Sequence, residues 1–190
     1  MAQHQSKAVE VEAVRVAATL MAAGARTAPK ARGIDSIKTL LLDGNDLETL
    51  ARAMEARAKE QPPHLAPIFN RDAANVRKSQ GLLLVGVTGI PKVVAQPLDC
   101  GACGYGTCQQ LLDTRKKSGK DFDGPVCLFQ ALDLGIALGS AVKLASDLNI
   151  DNRMMYTIGA TAKKLGLLDC DIVIGIPLSV SGKSPYFDRG

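Results

Sequence analysis

Aromatic and histidine residues are scarce in this chain of 190 residues. Tryptophan is absent, and there are three tyrosines, four phenylalanines and two histidines. The core must therefore be built mainly from Leu, Ala, Val and Ile side chains. His4 and His64 have no cysteine or carboxylate at ligand spacing, and the sequence offers no Ser-His-Asp set. These absences argue against a histidine-rich metal site and against catalysis by acid–base side chains, so any chemistry should come from a cofactor.

The chain also lacks a strong excess of one charge and a long hydrophobic run. Lys and Arg number 23 against 19 Asp and Glu, which gives a formal net charge of +4. There is no long basic stripe with interleaved aromatics, so nucleic-acid binding is not predicted. The N-terminus has no apolar signal core, and the longest apolar region, around Leu134 to Leu144, is too short to span a membrane. We therefore expect a cytoplasmic protein that contacts no membrane.

Four of the five cysteines have a spacing typical of iron–sulfur ligands. Cys100, Cys103 and Cys108 lie in the string LDCGACGYGTC, and Cys127 follows after eighteen residues in DGPVC. Thiolates from one loop and one helix start can hold the four corners of a 4Fe-4S cluster. The glycines between them allow the backbone to fold tightly and to point amide N–H groups at the cluster sulfurs. The pattern therefore predicts a 4Fe-4S site on these four cysteines.

Other uses of the same cysteines remain open at this point. A structural zinc site usually has two C-x2-C pairs, and this chain has one. The plant-type 2Fe-2S spacing has the longer gap first, which is the reverse of the order here. Disulfides do not suit a reducing cytoplasm. The spacing favours a four-iron cluster over these alternatives.

The pattern of apolar residues predicts one α+β domain around a single sheet, with the cysteine region as an insertion. We expect residues 1–94 to form the N-terminal part of the body, residues 95–129 the cluster-binding module, and residues 130–190 the rest of the body. The predicted elements, in order, are a helix over about 5–24, a strand SIKTLLLD, helices from Asn45 and from Ala66 to Ser79, a buried strand GLLLVGV, a long buried helix CLFQALDLGIALGSAVKLASDLNI, an extended NRMMYTIG, a short helix TAKKLGLL and a buried strand CDIVIGIPL. Gly24 is the predicted end of the first helix.

The segment from GACGYGTC through GIALGSAVKLASDLNIDNRMMYTIG resembles a family of prokaryotic proteins described only as containing a ferredoxin domain. The cysteine spacing also resembles the 4Fe-4S domains of corrinoid iron–sulfur proteins and of the B subunit of Rnf electron-transport complexes. In those domains a C-x2-C-x4-C run is followed by a distant fourth cysteine. The resemblance implies that the ligands are Cys100, Cys103, Cys108 and Cys127.

A second resemblance is to the nitroreductase family of flavin enzymes. It is carried by the loop ARTAPKARGID after the first helix and by the later string LGLLDCDIVIGIP. The resemblance implies a nitroreductase-like layered α+β fold and a homodimer with FMN at the subunit interface. It also implies that Arg189 matches a C-terminal cation that helps to hold the flavin phosphate.

Two polar clusters are candidate cofactor contacts. Arg26, Lys30 and Arg32 crowd one loop, which suits a flavin phosphate or an acidic partner, although a solvated loop has the same composition. The run 151–153 (Asp151, Asn152 and Arg153) joins two apolar elements and suits either a ligand contact or a capped turn.

The remaining reactive or charged residues have simpler interpretations. Cys170 adjoins a predicted buried strand and is interpreted as a core residue. Arg115, Lys116, Lys117 and Lys120 follow the cysteine loop and are interpreted as a solvated face, with attraction of an acidic electron-transfer partner as the alternative.

The sequence as a whole predicts a redox protein. A 4Fe-4S cluster would pass single electrons to a redox partner protein, a flavin or a small-molecule substrate. The alternatives are a non-enzymatic module whose cluster is structural or senses oxygen or iron, and a domain stapled by zinc without a redox role.

Overall fold

The computed structural model describes residues 3–92 and 95–187, which form a four-stranded antiparallel sheet between two helical layers. The helices are α1 (Ser6–Thr27), α2 (Asn45–Ala58), α3 (Ala66–Arg77), α4 (Cys108–Asp113), α5 (Leu128–Asp147) and α6 (Tyr156–Lys164). The strands are β1 (Ile37–Asp43), β2 (Gly81–Val87), β3 (Lys117–Ser118), β4 (Asp123–Gly124), β5 (Asp151–Asn152) and β6 (Ile172–Ser179). The main sheet has the order β1-β2-β6-β5, and β3 and β4 form a separate small hairpin.

Strand β2 lies inside the sheet and organises two hydrophobic cores. All seven of its residues are buried, because helices cover both faces of the sheet. Leu83 and Val85 join the core under α1 and α5. Leu82 and Leu84 join the core under α2 and α6 on the opposite face. The prediction that GLLLVGV is a strand buried on both faces is confirmed.

Helix α1 was predicted correctly in type but extends beyond Gly24. Gly24 does not end the helix, because it lies against α5, where an added Cβ atom would be 2.5 Å from Cδ1 of Leu144. The three- and four-residue spacing of Val9, Ala13, Val16, Leu20 and Ala23 predicts this helix, yet all five lie on its outer surface. Val9, Val16 and Leu20 are exposed, whereas the inner face is formed by other residues such as Met21. Helix α1 is therefore apolar on two faces.

The expected extended segment NRMMYTIG is extended only in its first half, which contains Asn152 of β5 and the bridge residue Met155, and is helical in its second half. Met155 forms an isolated bridge with Gly175 of β6, and α6 begins at the next residue, Tyr156. The physical reason is the contact at Gly159, where an added Cβ atom would be 1.8 Å from the carbonyl oxygen of Val173. The helix backbone thus packs directly on β6. The predicted short helix TAKKLGLL contributes only the end of this same helix.

Helix α5 is less buried than the sequence suggests. Its inner face, which includes Ala137 and Ala141, packs against α1 and the sheet. Its outer face exposes Leu128, Leu132 and Ile136 by 41%, 48% and 44% respectively. Among the described residues, α5 is the one helix whose length and hydropathy would allow it to cross a membrane. The core helix of a soluble domain meets the same criterion, and α5 contributes one face to such a core.

Candidate metal centre

Four cysteines line a single cavity. Cys100 and Cys103 lie on the loop before α4, Cys108 is the first residue of α4, and Cys127 is the residue before α5. The wall of the cavity also includes the aromatic ring of Tyr105. The fold therefore brings together residues that are up to 27 positions apart in the sequence, since Cys100 and Cys127 share this cavity.

Backbone conformations that favour glycine shape the loop between the first three cysteines. Gly101 and Gly104 have φ angles of +71° and +86°, and the N–H of Gly104 donates to the carbonyl oxygen of Gly101 at 2.9 Å. Asp99 also has a positive φ, of +45°, and its Oδ1 atom accepts a 2.7 Å hydrogen bond from the N–H of Cys108. These turns reverse the chain so that Cys100 and Cys108 border the same space.

The third cysteine is held by a capping box at the start of α4. The Thr107 side chain accepts a hydrogen bond from the N–H of Gln110 at 3.2 Å, and the Gln110 side chain accepts one from the N–H of Thr107. This reciprocal pair fixes the first turn of a short helix. Cys108 directly follows Thr107, so its direction is set by the cap.

Cys127 connects the cavity to the body of the protein. It is 8% exposed, and its N–H donates to the carbonyl oxygen of Gly89 at 2.9 Å. It is also the N-cap residue of α5. This cysteine is thus held by the ends of two elements of the main fold, β2 and α5.

All five cysteines are free thiols in the structure, so the disulfide alternative is not supported.

Within the described ranges, no three Cys, His, Asp or Glu side chains converge as the ligands of a single metal ion would. A zinc ion with 2.3 Å bonds needs sulfur atoms about 3.8 Å apart, whereas a four-iron cluster spaces its ligands more widely. The four thiols surround a cavity of about 30 Å³, which holds about one water molecule.

A buried ion pair, Lys92–Asp133, lies beside the cavity. Their side chains are 4% and 3% exposed. Asp133 also accepts a 2.9 Å hydrogen bond from the N–H of Ala31, and Lys92 donates to the carbonyl oxygen of Ala31 at 3.0 Å. Three chain segments are thus joined behind Cys127. The sequence carries one signal of this pair, which is an aspartate inside an otherwise apolar helix.

The hairpin of β3 and β4 is tied to the body by Arg57, whose side chain is buried. Arg57 donates to the carbonyl oxygens of Ala160 and Lys120 at 2.7 and 2.8 Å, and it forms an ion pair with Asp121. The hydroxyl of Tyr156 also donates to Asp121. Burial, together with this carboxylate, raises the pKa of Tyr156 to about 12. The segment between Cys108 and Cys127 is therefore held in place by side chains of α2 and α6.

A second ion pair holds β4, one of the two strands of the hairpin. Lys163 of α6 lies 2.7 Å from the carboxylate of Asp123. The hydrogen bond from Lys163 lowers the pKa of Asp123 below its usual value, and this effect exceeds the opposing effect of burial. Lys116 pairs with Asp171 at the start of β6. Ion pairs thus fasten β4 and the residue before β3 to the body.

The cationic loop predicted as an anion site is largely engaged in internal contacts. Arg26 pairs with Asp35, and Lys30 donates to the last carbonyl oxygens of α1, those of Ala25 and Arg26. Lys30 has a side chain only 5% exposed. Arg32 reaches the carbonyl oxygen of Gln96 at 2.7 Å and lines the cysteine cavity.

The second predicted cluster lies elsewhere in the fold. Asp151 and Asn152 form the edge strand β5, and Arg153 donates to the carbonyl oxygen of Tyr186 at 3.0 Å while its guanidinium lies over the ring of Phe187. Of the predicted cofactor contacts that the structure describes, Arg32 alone lines the cysteine cavity. Arg189 lies outside the described residues.

Cys170 belongs to the core under α2 and α6, where burial raises the pKa of its thiol. It does not line the cavity of the other four cysteines. Its interpretation as a core residue agrees with this position.

Comparison with known sequences places the chain in a family. Residues 123–189 match the family described as "Uncharacterized protein containing a ferredoxin domain (DUF2148)". A protein of Archaeoglobus fulgidus, described as an uncharacterized protein, is 49% identical over 178 residues, which is 94% of this chain and 92% of that protein. The chain belongs to this ferredoxin-domain family. The matched region includes Cys127, while the other three cavity cysteines precede it.

Solved structures that are similar to this chain have the nitroreductase fold. A nitroreductase family protein from Clostridium novyi NT has a TM-score of 0.52 and 15% identity, covering 87% of this chain and 74% of that chain. A BluB-like flavoprotein from Clostridium difficile 630 has a TM-score of 0.53 and 15% identity, covering 96% of this chain and 84% of that chain. The predicted nitroreductase-like α+β fold is therefore confirmed. Likeness at this low identity shows the fold alone.

Proposed function

We propose that this protein is a one-electron carrier with a 4Fe-4S cluster bound by Cys100, Cys103, Cys108 and Cys127. The observation that carries the proposal is the shared cavity of these four thiols. A cluster bound there supplies reversible one-electron chemistry. Residues 95–129 then act as a cluster module inserted between two parts of one body.

The solvent exposure of the cavity cysteines supports a redox role for the cluster rather than a purely structural one. Cys127 is buried against the body, whereas Cys100 is exposed at the outer rim of the cavity. One side of the site is therefore open to solvent, as electron exchange with another molecule requires. Both hydrophobic cores of the body are formed without Cys100, Cys103 or Cys108. The body does not depend on these thiols for its packing, in contrast to small domains that fold only with zinc.

FMN binding stays a prediction. The described residues of one chain do not favour it, because most of the predicted cations are engaged in internal contacts. Lys30 and Arg26 contact the end of α1 and Asp35, and Arg153 contacts Tyr186. These cations are occupied and do not form a shared phosphate site. The proposed electron-carrier function therefore does not include a flavin.

We further propose that the chain forms a homodimer through the outer faces of α1 and α5. These faces expose Val9, Val16 and Leu20 on one helix, and Leu132 and Ile136 on the other. The helices have 22 and 20 residues and pack against each other. The exposed apolar residues of the two helices are the surface that a second copy would cover.

The oligomeric state tests the dimer. Light scattering after size exclusion should give twice the chain mass of 20.0 kDa for the wild type and the single mass for Leu132→Glu. Leu165→Glu places the same charge on an exposed leucine after α6 and should leave the dimer intact. A monomeric wild type would contradict the proposal.

Elemental analysis of anaerobically purified protein tests the cluster. We expect about four iron and four sulfide per chain, as a cubane requires, and reversible bleaching of the visible absorbance by dithionite. A cluster that cannot be reduced would favour the structural alternative. One zinc per chain without iron would overturn the proposal and support a zinc-stapled domain.

A further inference from the structure

A second groove adjoins the cysteine cavity and shares one wall with it. It has a volume of about 460 Å³ and runs along the hairpin of β3 and β4. Tyr105 lines both the groove and the cavity, so the two spaces meet at this residue. Phe122 and Pro125 add further apolar surface. A molecule in this groove would therefore lie next to the cluster site.

The charges around the groove favour a negative partner. Arg115 and Lys117 line it, are exposed, and form no ion pair within the part of the chain that the structure describes. Asp123, the acidic residue of the lining, is already paired with Lys163. Lys120 is exposed at the turn of the hairpin, and its backbone carbonyl oxygen is fixed by Arg57. The net field over the groove is thus positive.

The distribution of these charges fits a protein surface better than a small anion. A site for a small anion gathers buried donors around one point. Here no charged lining residue is buried, and the cations are spread along an open face. Arg32 is also exposed and lines the adjoining cysteine cavity. Distributed surface charge is the arrangement that steers one protein toward another and sets their orientation.

We propose that this face docks the acidic surface of a partner protein that exchanges electrons at the cysteine cavity. The inference rests on the proposed electron-carrier function. In the step, one electron leaves the reduced protein, and the oxidised partner gains it. The cations 115 and 117 form no ion pair among the described residues and can meet such a partner, whereas their neighbour Lys116 pairs with Asp171.

Two haem proteins of opposite charge test the proposal. The dithionite-reduced, iron-loaded protein is freed of excess reductant and mixed in a stopped-flow instrument with ferric cytochrome b5, which is acidic, or with ferric cytochrome c, which is basic. One electron converts each ferric haem to ferrous haem. Transfer to cytochrome b5 should be faster at low salt and fall at least about tenfold as salt rises, because screening removes the steering. Transfer to cytochrome c should not fall with salt.

Charge variants locate the effect. Arg115→Gln with Lys117→Gln should remove most of the salt dependence with cytochrome b5. Lys7→Gln with Lys78→Gln removes the same charge from exposed sites on α1 and after α3, and should leave the salt dependence unchanged. Equal salt responses for both double variants would overturn the docking face.

Iron content separates failure of this inference from failure of the proposed function. Iron-loaded protein whose transfer to cytochrome b5 ignores salt would overturn the docking face and leave the cluster standing. Transfer that is blocked by a small anion such as citrate at constant ionic strength, without salt steering of cytochrome b5, would favour a small-anion site instead. Protein without iron would overturn both proposals.

Discussion

The backbone N–H of Cys127 donates a 2.9 Å hydrogen bond to the carbonyl oxygen of Gly89, two residues beyond the end of β2. Val126 packs around Gly89, where an added Cβ atom would be 2.8 Å from Cγ2 of Val126. Glycine is needed there because of this close approach. The most buried cysteine is therefore held by the body of the fold, while the other three belong to a loop and to the start of a short helix.

Replacement of Cys127 by Ser should remove most of the iron and the visible absorbance without unfolding the body. Serine keeps the size of the side chain but is a poor ligand for iron in such clusters, where thiolates are the usual donors. Iron content and circular dichroism of anaerobic protein measure the two effects. Cys170→Ala is the control, since Cys170 lies in the core under α2 and α6 and should keep full iron. Full iron in Cys127→Ser would contradict the ligand assignment.

Replacement of Asp133 by Asn should destabilise the protein by about 3–5 kcal/mol, because it leaves the buried Lys92 ammonium without a counter-charge. Urea unfolding of iron-free protein measures the change. The double variant Lys92→Met, Asp133→Leu should recover much of the loss, since a buried apolar pair of similar size is tolerated.

The exposed pair Lys143–Asp147 supplies the control for this measurement. Its side chains are 72% and 54% exposed, so Asp147→Asn should cost less than about 1 kcal/mol. A loss in Asp133→Asn no larger than in Asp147→Asn would show that the buried pair is not formed in solution.

The sequence predicts local features of this fold well and long-range contacts poorly. GLLLVGV predicts a buried strand because an uninterrupted apolar run needs cover on both sides, and β2 has it. Gly24 and Gly159 lie inside helices, where local rules disfavour glycine. Each allows another element of the fold, α5 or β6, to pack closely against the helix backbone. Packing between distant elements determines the secondary structure at these two glycines, and a single sequence does not show which elements pack together.

The same limit applies to the candidate site. The cysteine spacing is a local pattern, so the sequence could nominate all four residues. Arg57 and Asp121 are 64 positions apart, and Lys92 and Asp133 are 41 apart. Nothing in the neighbourhood of either residue in the sequence identifies its partner. The outer face of α1 shows a related ambiguity, since its apolar residues indicated a helix but not which side faces the core.

Replacement of Arg57 by Leu should loosen the hairpin that leads from Cys108 to Cys127. It removes two hydrogen bonds to carbonyl oxygens and the ion pair with Asp121. Amide hydrogen exchange over residues 117–124 should become at least about tenfold faster, which corresponds to roughly 1.4 kcal/mol. Arg52→Leu, on the exposed surface of α2, should leave that exchange unchanged. Unchanged exchange in Arg57→Leu would mean that other contacts hold the hairpin.

The pair of Asp123 and Lys163 should make stability depend on pH in the acid range. The pKa of Asp123 is lowered in the folded protein, chiefly by the hydrogen bond from Lys163, so the folded state holds the proton less tightly than the unfolded chain does. The stabilisation is thus fully present above the ordinary pKa of 3.8 and is lost as the pH falls through the lower folded value. The difference in free energy of unfolding between iron-free wild type and Asp123→Asn should be constant near neutral pH and shrink below about pH 4.

Lys163→Met completes this test as a double-mutant cycle. Because Lys163 also donates to the carbonyl oxygen of Cys170 at 2.7 Å, its loss alone should cost more than the loss of Asp123. In the Lys163→Met background, adding Asp123→Asn should have a smaller effect at neutral pH and little further change on acidification. If Asp123→Asn changed stability equally at pH 7 and at pH 3, the carboxylate charge would not be what holds β4 to α6.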